Sequence, residues 1–131
     1  MVFIDTSIPM YLVGVAHPNK ADAQRRLETL VTQRVRLVTD AEVLTEILHR
    51  YTSIERRGGI QPAIDALLGV VDDVVAVDQD TVERTKQLVL QYPTLPVRAA
   101  LHVATMQRHD IETILSFDPA FDRVPGLTRL R

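Results

Sequence analysis

The hydrophobic pattern of this chain alternates between short unbroken apolar runs and longer segments with helical periodicity. Near the start, Val2-Phe3-Ile4 is uniformly apolar and stops at Asp5-Thr6-Ser7; near the finish, Ile114-Leu115-Ser116-Phe117 stops at Asp118. Runs this brief, bounded by polar residues, fit strands of a buried parallel sheet. The same signal predicts strands over 36–39, 74–77 and 113–116, with an edge strand over 127–130.

The intervening segments read as helices. Residues 7–13 predict a short one, with Pro9 tolerated in its first turn and Gly14 at its end. A helix over 20–32 takes its apolar side from Ala21, Leu27, Leu30 and Val31. Over 41–55, Leu44, Ile47, Leu48 and Tyr51 recur at helical spacing and are expected to face the core, with Asp40 as N-cap and the stop just before Gly58-Gly59. Pro62 is expected to open a short helix through Leu67 and Leu68, residues 81–91 form an amphipathic one stopped by Pro93, and a long final helix starts near Pro96. Strand and helix in alternation predict an α/β fold, a three-layer α/β/α sandwich with a mainly parallel sheet, as a single domain over 1–131.

Composition narrows the class. Hydrophobic residues make up 46% and charged residues 24%, as in an ordinary globular domain. No apolar run approaches the length of a membrane span, the N-terminus does not read as a signal peptide, and the absence of cysteine excludes disulfides and thiolate zinc sites. A cytoplasmic location is expected. The net charge of −2 gives no global basic signature, so a nucleic-acid ligand would need a local patch or bridging metal. The cations are almost all arginines, with Arg25, Arg26, Arg34 and Arg36 early and Arg56, Arg57, Arg123, Arg129 and Arg131 later; ordinary solvated faces account for most of them.

Chemistry is suggested by acids at strand exits: Asp5, Asp40, Asp78 and Asp118. In open α/β sheets the ligand crevice lies beyond the carboxyl ends of the strands. Asp40 and Asp78 also suit helix N-caps. Carboxylates converging on one crevice repel one another unless a cation intervenes, and oxygen ligands without cysteine point to Mg²⁺ or Mn²⁺, with phosphodiester hydrolysis as the natural reaction class. The histidines add little: His17 lies in a turn, His49 falls on a polar side, and His102 and His109 stand too far apart on one helix to form a ligand pair. Neither a phosphate-binding glycine loop nor a nucleophile elbow is present, and a receiver-like signalling domain is disfavoured because the only lysines are Lys20 and Lys86.

Taken together, Phe3-Ile4-Asp5-Thr6-Ser7, Val43-Leu44-Thr45-Glu46-Ile47-Leu48, Ala100-Leu101-His102-Val103-Ala104 and Ile114 through Asp122 resemble the PIN-domain ribonucleases, specifically the VapC-type toxins of prokaryotic toxin-antitoxin pairs. The resemblance covers nearly the whole chain. It implies that Asp5, Glu46 and Asp118 are catalytic, that Asp5 and Asp118, with Asp122 as a further contributor, bind Mg²⁺ or Mn²⁺, and that Thr6 and Ser116 are supporting hydroxyls. It further implies cleavage of single-stranded or looped RNA, a homodimer, and a VapB-like antitoxin that blocks the site. Helical spacing alone places Glu46 with Glu42 and His49 on a solvated face; only the resemblance assigns it to the site.

One position departs from the family pattern. Ala99 stands where the family carries its third acid, so hydrolysis by this polypeptide is expected to be strongly reduced or absent. An engineered Asp-to-Ala change is the preferred explanation and natural loss the alternative. A noncatalytic RNA-binding or antitoxin-binding module is the competing reading.

Overall fold

A computed structural model describes residues 1–131. Five strands form one sheet, β1 (Val2–Ile4), β2 (Leu37–Asp40), β3 (Asp73–Val75), β4 (Thr113–Leu115) and β5 (Thr128–Leu130), in the order β3-β2-β1-β4-β5. Every pairing is parallel, with Val2 opposite Leu37 and Thr113, and Ile4 opposite Leu115. Parallel strands need crossover connections, and helices provide those between β1 and β4: α1 (Ser7–Val13), α2 (Pro18–Thr32), α3 (Ala41–Ser53), α4 (Ile60–Leu68), α5 (Gln79–Gln91) and α6 (Val97–Arg108). Strands β4 and β5 are joined through a short 3-10 helix over Pro119–Arg123. The three-layer α/β/α reading therefore holds, and no helix is long and apolar enough to cross a membrane.

Strands β1 and β2 are buried throughout: β1 is wholly apolar, and in β2 the buried Thr39 hydroxyl donates to the Ile4 carbonyl at 2.9 Å. Phe3, Ile4, Leu37, Ile114 and Leu115 pack with Ile8, Ile47, Leu67, Val103 and Met106 into one apolar core. Asp40 and Asp78 cap α3 and α5 as expected, accepting from the backbone N–H of Val43 and Thr81 at 3.0 and 2.9 Å.

Three expectations about helices need correction. Helix α3 stops at Ser53, before the glycine pair, because Glu55 adopts φ 57° and the Arg56 N–H closes back onto the Tyr51 carbonyl. That is the left-handed C-terminal stop usually built with glycine. Helix α4 begins at Ile60, with Pro62 inside its first turn, where proline's missing N–H has no helical partner to lose. Leu48 is 44% exposed, and the buried side of α3 is Val43, Glu46, Ile47 and Tyr51.

Candidate active site

The sheet order places β1 between β2 and β4, so the chain leaves β1 towards one side and returns on the other. Ligands bind at such a switch point, beyond the strands' carboxyl ends. Asp5 follows β1 directly, Asp40 ends β2, and Ser116 and Asp118 follow β4. Asp78 lies beyond the edge strand β3 and stays at the surface, paired with Arg108.

Asp5, Glu46 and His102 each offer an atom to a buried cluster, with these atoms within 4.8 Å of one another. Glu46 is only 5% exposed and faces Asp5 and His102, so the helical wheel, which puts it on a solvated face, misplaces it. Its burial is possible because both oxygens are satisfied. The Thr6 hydroxyl donates to Oε2 at 2.7 Å, and His102 Nε2 lies 2.6 Å from Oε1.

His102 also reaches Asp40, with Nδ1 2.8 Å from Oδ2, which accepts from the Thr105 hydroxyl as well. Both imidazole nitrogens thus face carboxylate oxygens, which only accept. Satisfying both requires the imidazolium. Burial opposes that charge, but hydrogen bonds and attraction from Asp40 and Glu46 outweigh it, and the His102 pKa is pushed up to about 10. Burial likewise works to raise Glu46, yet the His102 hydrogen bond and charge, with help from Thr6, leave its carboxyl below the ordinary range. Asp40-His102-Glu46 is therefore a buried chain of two carboxylates around one cation. Sequence reasoning missed His102 in this role and, although it counted Asp40 among the strand-exit acids, favoured capping for it. The available signal was His102's place on the same helical face as Ala99, Val103 and Met106, where a histidine must find partners.

Asp5 is less well compensated. The Ser116 hydroxyl donates to Oδ2 at 2.5 Å, but Oδ1 is buried with no hydrogen-bond partner. Burial, with the nearby Glu46 charge, pushes the Asp5 carboxyl above the ordinary range despite His102 and Ser116 pulling it back. Removing its charge should relieve the protein. At pH 8, Asp5→Asn is expected to melt a few degrees above the parent, and the gap should close as pH falls and Asp5 takes up its proton. Thermal unfolding across that range checks this.

Ser116 ties two acids together, because its Oγ also accepts from the Asp118 N–H at 3.0 Å. Asp118 borders the cavity with Asp5; its Oδ1 accepts from the Ala120 N–H, and its Oδ2 lies 3.3 Å from the Arg98 guanidinium. Asp122 does not join the cluster. Its side chain is 55% exposed, and both oxygens are held at 2.9 Å by the fork of Arg129. Of the three acids the resemblance assigns to the metal, Asp5 and Asp118 line one cavity and Asp122 lies outside it. Ala99 lies fully buried one helical turn before His102 on α6 and brings no oxygen to the cluster.

The PIN domain family model matches residues 2–127. The chain belongs to the PIN-domain family. Within it, this PIN domain is of the VapC type: it is 54% identical to Ribonuclease VapC13 of Mycobacterium tuberculosis over 130 residues, covering 99% of both chains. Ribonuclease VapC23 of the same species is 33% identical over 118 residues, covering 90% of this chain and 93% of VapC23. Among solved structures, VapBC2 from Rickettsia felis bound to a promoter DNA fragment superposes with a TM-score of 0.76 at 15% identity, covering 99% of this PIN domain and 98% of that chain. M. tuberculosis VapC20, a sarcin-ricin loop cleaving toxin, gives 0.70 at 23% identity, with 91% of each chain covered. These two likenesses establish the shared fold.

Proposed function

We propose that this chain is the toxin of a toxin-antitoxin pair, a metal-dependent endoribonuclease that hydrolyses RNA phosphodiesters, with activity reduced by Ala99. The observation that carries the proposal is the buried Asp5-Glu46 cluster at the switch point of a chain 54% identical to a named ribonuclease. A divalent cation suits the residues present: Asp5 Oδ1 is a buried carboxylate oxygen without a partner, and Asp118 stands on the same cavity. Asp5 and Asp118 would hold Mg²⁺ or Mn²⁺. When bound, such an ion polarises a phosphoryl oxygen and makes water more acidic.

The protein's own groups prepare the site. Ser116 fixes Asp5 through Oδ2 and leaves Oδ1 free. His102 and Thr6 keep Glu46 ionised and oriented, so it contributes fixed negative charge beside Asp5. Arg98 offsets Asp118 and lies on the cavity, placed to meet an RNA phosphate. Ala99 supplies no carboxylate, leaving any cation with fewer protein ligands.

The partners this reading expects are an RNA substrate, a VapB-like antitoxin that covers the site, and a second copy of the chain; the toxin-antitoxin complexes among the structural neighbours support the antitoxin. The competing reading, an RNA-binding or antitoxin-binding module without chemistry, draws its support from Ala99. Incubating the chain with single-stranded RNA across a Mg²⁺ and Mn²⁺ titration separates the two. Slow cleavage abolished by EDTA supports the ribonuclease; RNA retained uncut at every metal concentration supports the module.

A further inference from the structure

Beside the acid cluster lies a cavity of about 680 Å³, within the range that accepts a small organic ligand. One wall is aromatic. Tyr11 on α1 meets the Phe117 ring edge-on at 5.3 Å and the His17 ring at 5.0 Å, and all three line the cavity. His17 is held in place because its Nδ1 accepts from the Asn19 N–H and so caps α2.

Three arginines, Arg50, Arg56 and Arg98, line the same space. Arg50 and Arg56 make no ion pair, although acids are plentiful on the surface, and Arg98 Nη1 is buried without a partner. Rings for stacking, unpaired guanidinium groups for phosphate and the acids Asp5 and Asp118 therefore share one continuous surface.

We propose that this cavity is a nucleotide subsite: one unpaired RNA base stacks against the Tyr11 ring while Arg50 and Arg56 hold the phosphates flanking it. The proposal rests on the ribonuclease reading and adds to it where the RNA lies. Aromatic rings and guanidinium planes are the groups that bind splayed-out bases, and stacking tolerates any base identity. A base locked in a duplex cannot enter. The subsite therefore selects an unpaired nucleotide, in a single strand or a loop, ahead of any particular sequence, and sets its distance from the cut bond. An acidic peptide would satisfy the arginines but leave the rings unused, which favours RNA as the occupant.

Fluorescence anisotropy with labelled single-stranded RNA hexamers in Mg²⁺ tests the subsite on the intact chain. A set of hexamers, each abasic at one position, is compared with the complete one. One position is expected to cost about tenfold in affinity when its base is removed, the scale of one base-aromatic stack. Tyr11→Leu should cost the same on the complete hexamer and nothing further on that abasic one, whereas Tyr11→Phe should bind like the parent. The abasic series needs no altered protein, so a folding defect in a variant cannot obscure the result.

Equal affinity for complete and abasic hexamers overturns the subsite. So does loss of binding to a basic or acidic peptide, but not to RNA, in Tyr11→Leu. RNA cleavage is measured separately: metal-dependent cutting with no abasic effect removes the subsite and leaves the ribonuclease standing, while absence of both removes the two together.

Discussion

Replacing His102 with leucine is expected to lower the melting temperature by roughly 10–15 °C at pH 6. Leucine matches the ring approximately in volume, so the effect is electrostatic. Asp40 and Glu46 are both buried, and each loses the imidazolium that faces it at 2.8 and 2.6 Å. Stripping the counter-ion from a buried ion group costs about 3–5 kcal/mol, equivalent to roughly 3 °C per kcal/mol in a chain of this size.

The pH dependence carries the sign. His102 is raised from 6.5 to about 10, so its stabilisation is complete below pH 6.5 and is lost as pH rises through 10. Glu46 is lowered, so its share is present above its ordinary value near 4.5 and disappears as pH falls through the folded value. The gap between parent and variant should therefore be widest between about pH 5 and 6.5 and narrow towards pH 10. Thermal unfolding at pH 6, 8 and 10 checks this, and a constant gap of under two degrees would contradict the charged network.

Restoring an acid at position 99 is the second large effect. Ala99→Asp is expected to tighten Mn²⁺ binding and raise metal-dependent RNA cleavage at least tenfold, since changing even an indirect partner of a metal ligand typically alters affinity or activity 10- to 100-fold. Position 99 lies one turn before His102 on the buried face of α6, in the layer that carries the cluster. A new carboxylate there would be buried without a cation. The same variant should therefore be less stable than the parent in EDTA and should regain stability as Mn²⁺ is added. Calorimetric titration with Mn²⁺ and unfolding with and without EDTA read the two consequences independently.

Much of the architecture was legible because its signals are local. Val2-Phe3-Ile4 and Ile114-Leu115 form the strands their apolar runs predict, and Asp40 and Asp78 cap the helices they precede. The stop of α3 was not legible. It uses Glu55 in a left-handed conformation where glycine is the usual signal.

The site was legible in its strand-exit acids and opaque in its centre. Asp5 and Asp118 follow strands and can be found by pattern. Glu46 sits among polar neighbours on its helix, and its burial depends on His102, 56 residues away. Asp40 and His102 are 62 residues apart, so no spacing rule connects them. Asp122 follows the same acidic motif as Asp118, yet Arg129 occupies both its oxygens. Pairing across the fold, not residue type, decides which carboxylate has a free oxygen.

The most direct test of the ribonuclease assignment is cleavage of single-stranded RNA by three proteins side by side: the parent, Ala99→Asp, and Ala99→Asp combined with Asp5→Asn. The expected result is weak, EDTA-sensitive cutting by the parent, at least tenfold faster cutting by Ala99→Asp that EDTA also abolishes, and return to the parent level when Asp5 is neutralised. Intact RNA with folded Ala99→Asp protein in Mg²⁺ and in Mn²⁺, or cutting that persists in EDTA, would contradict it.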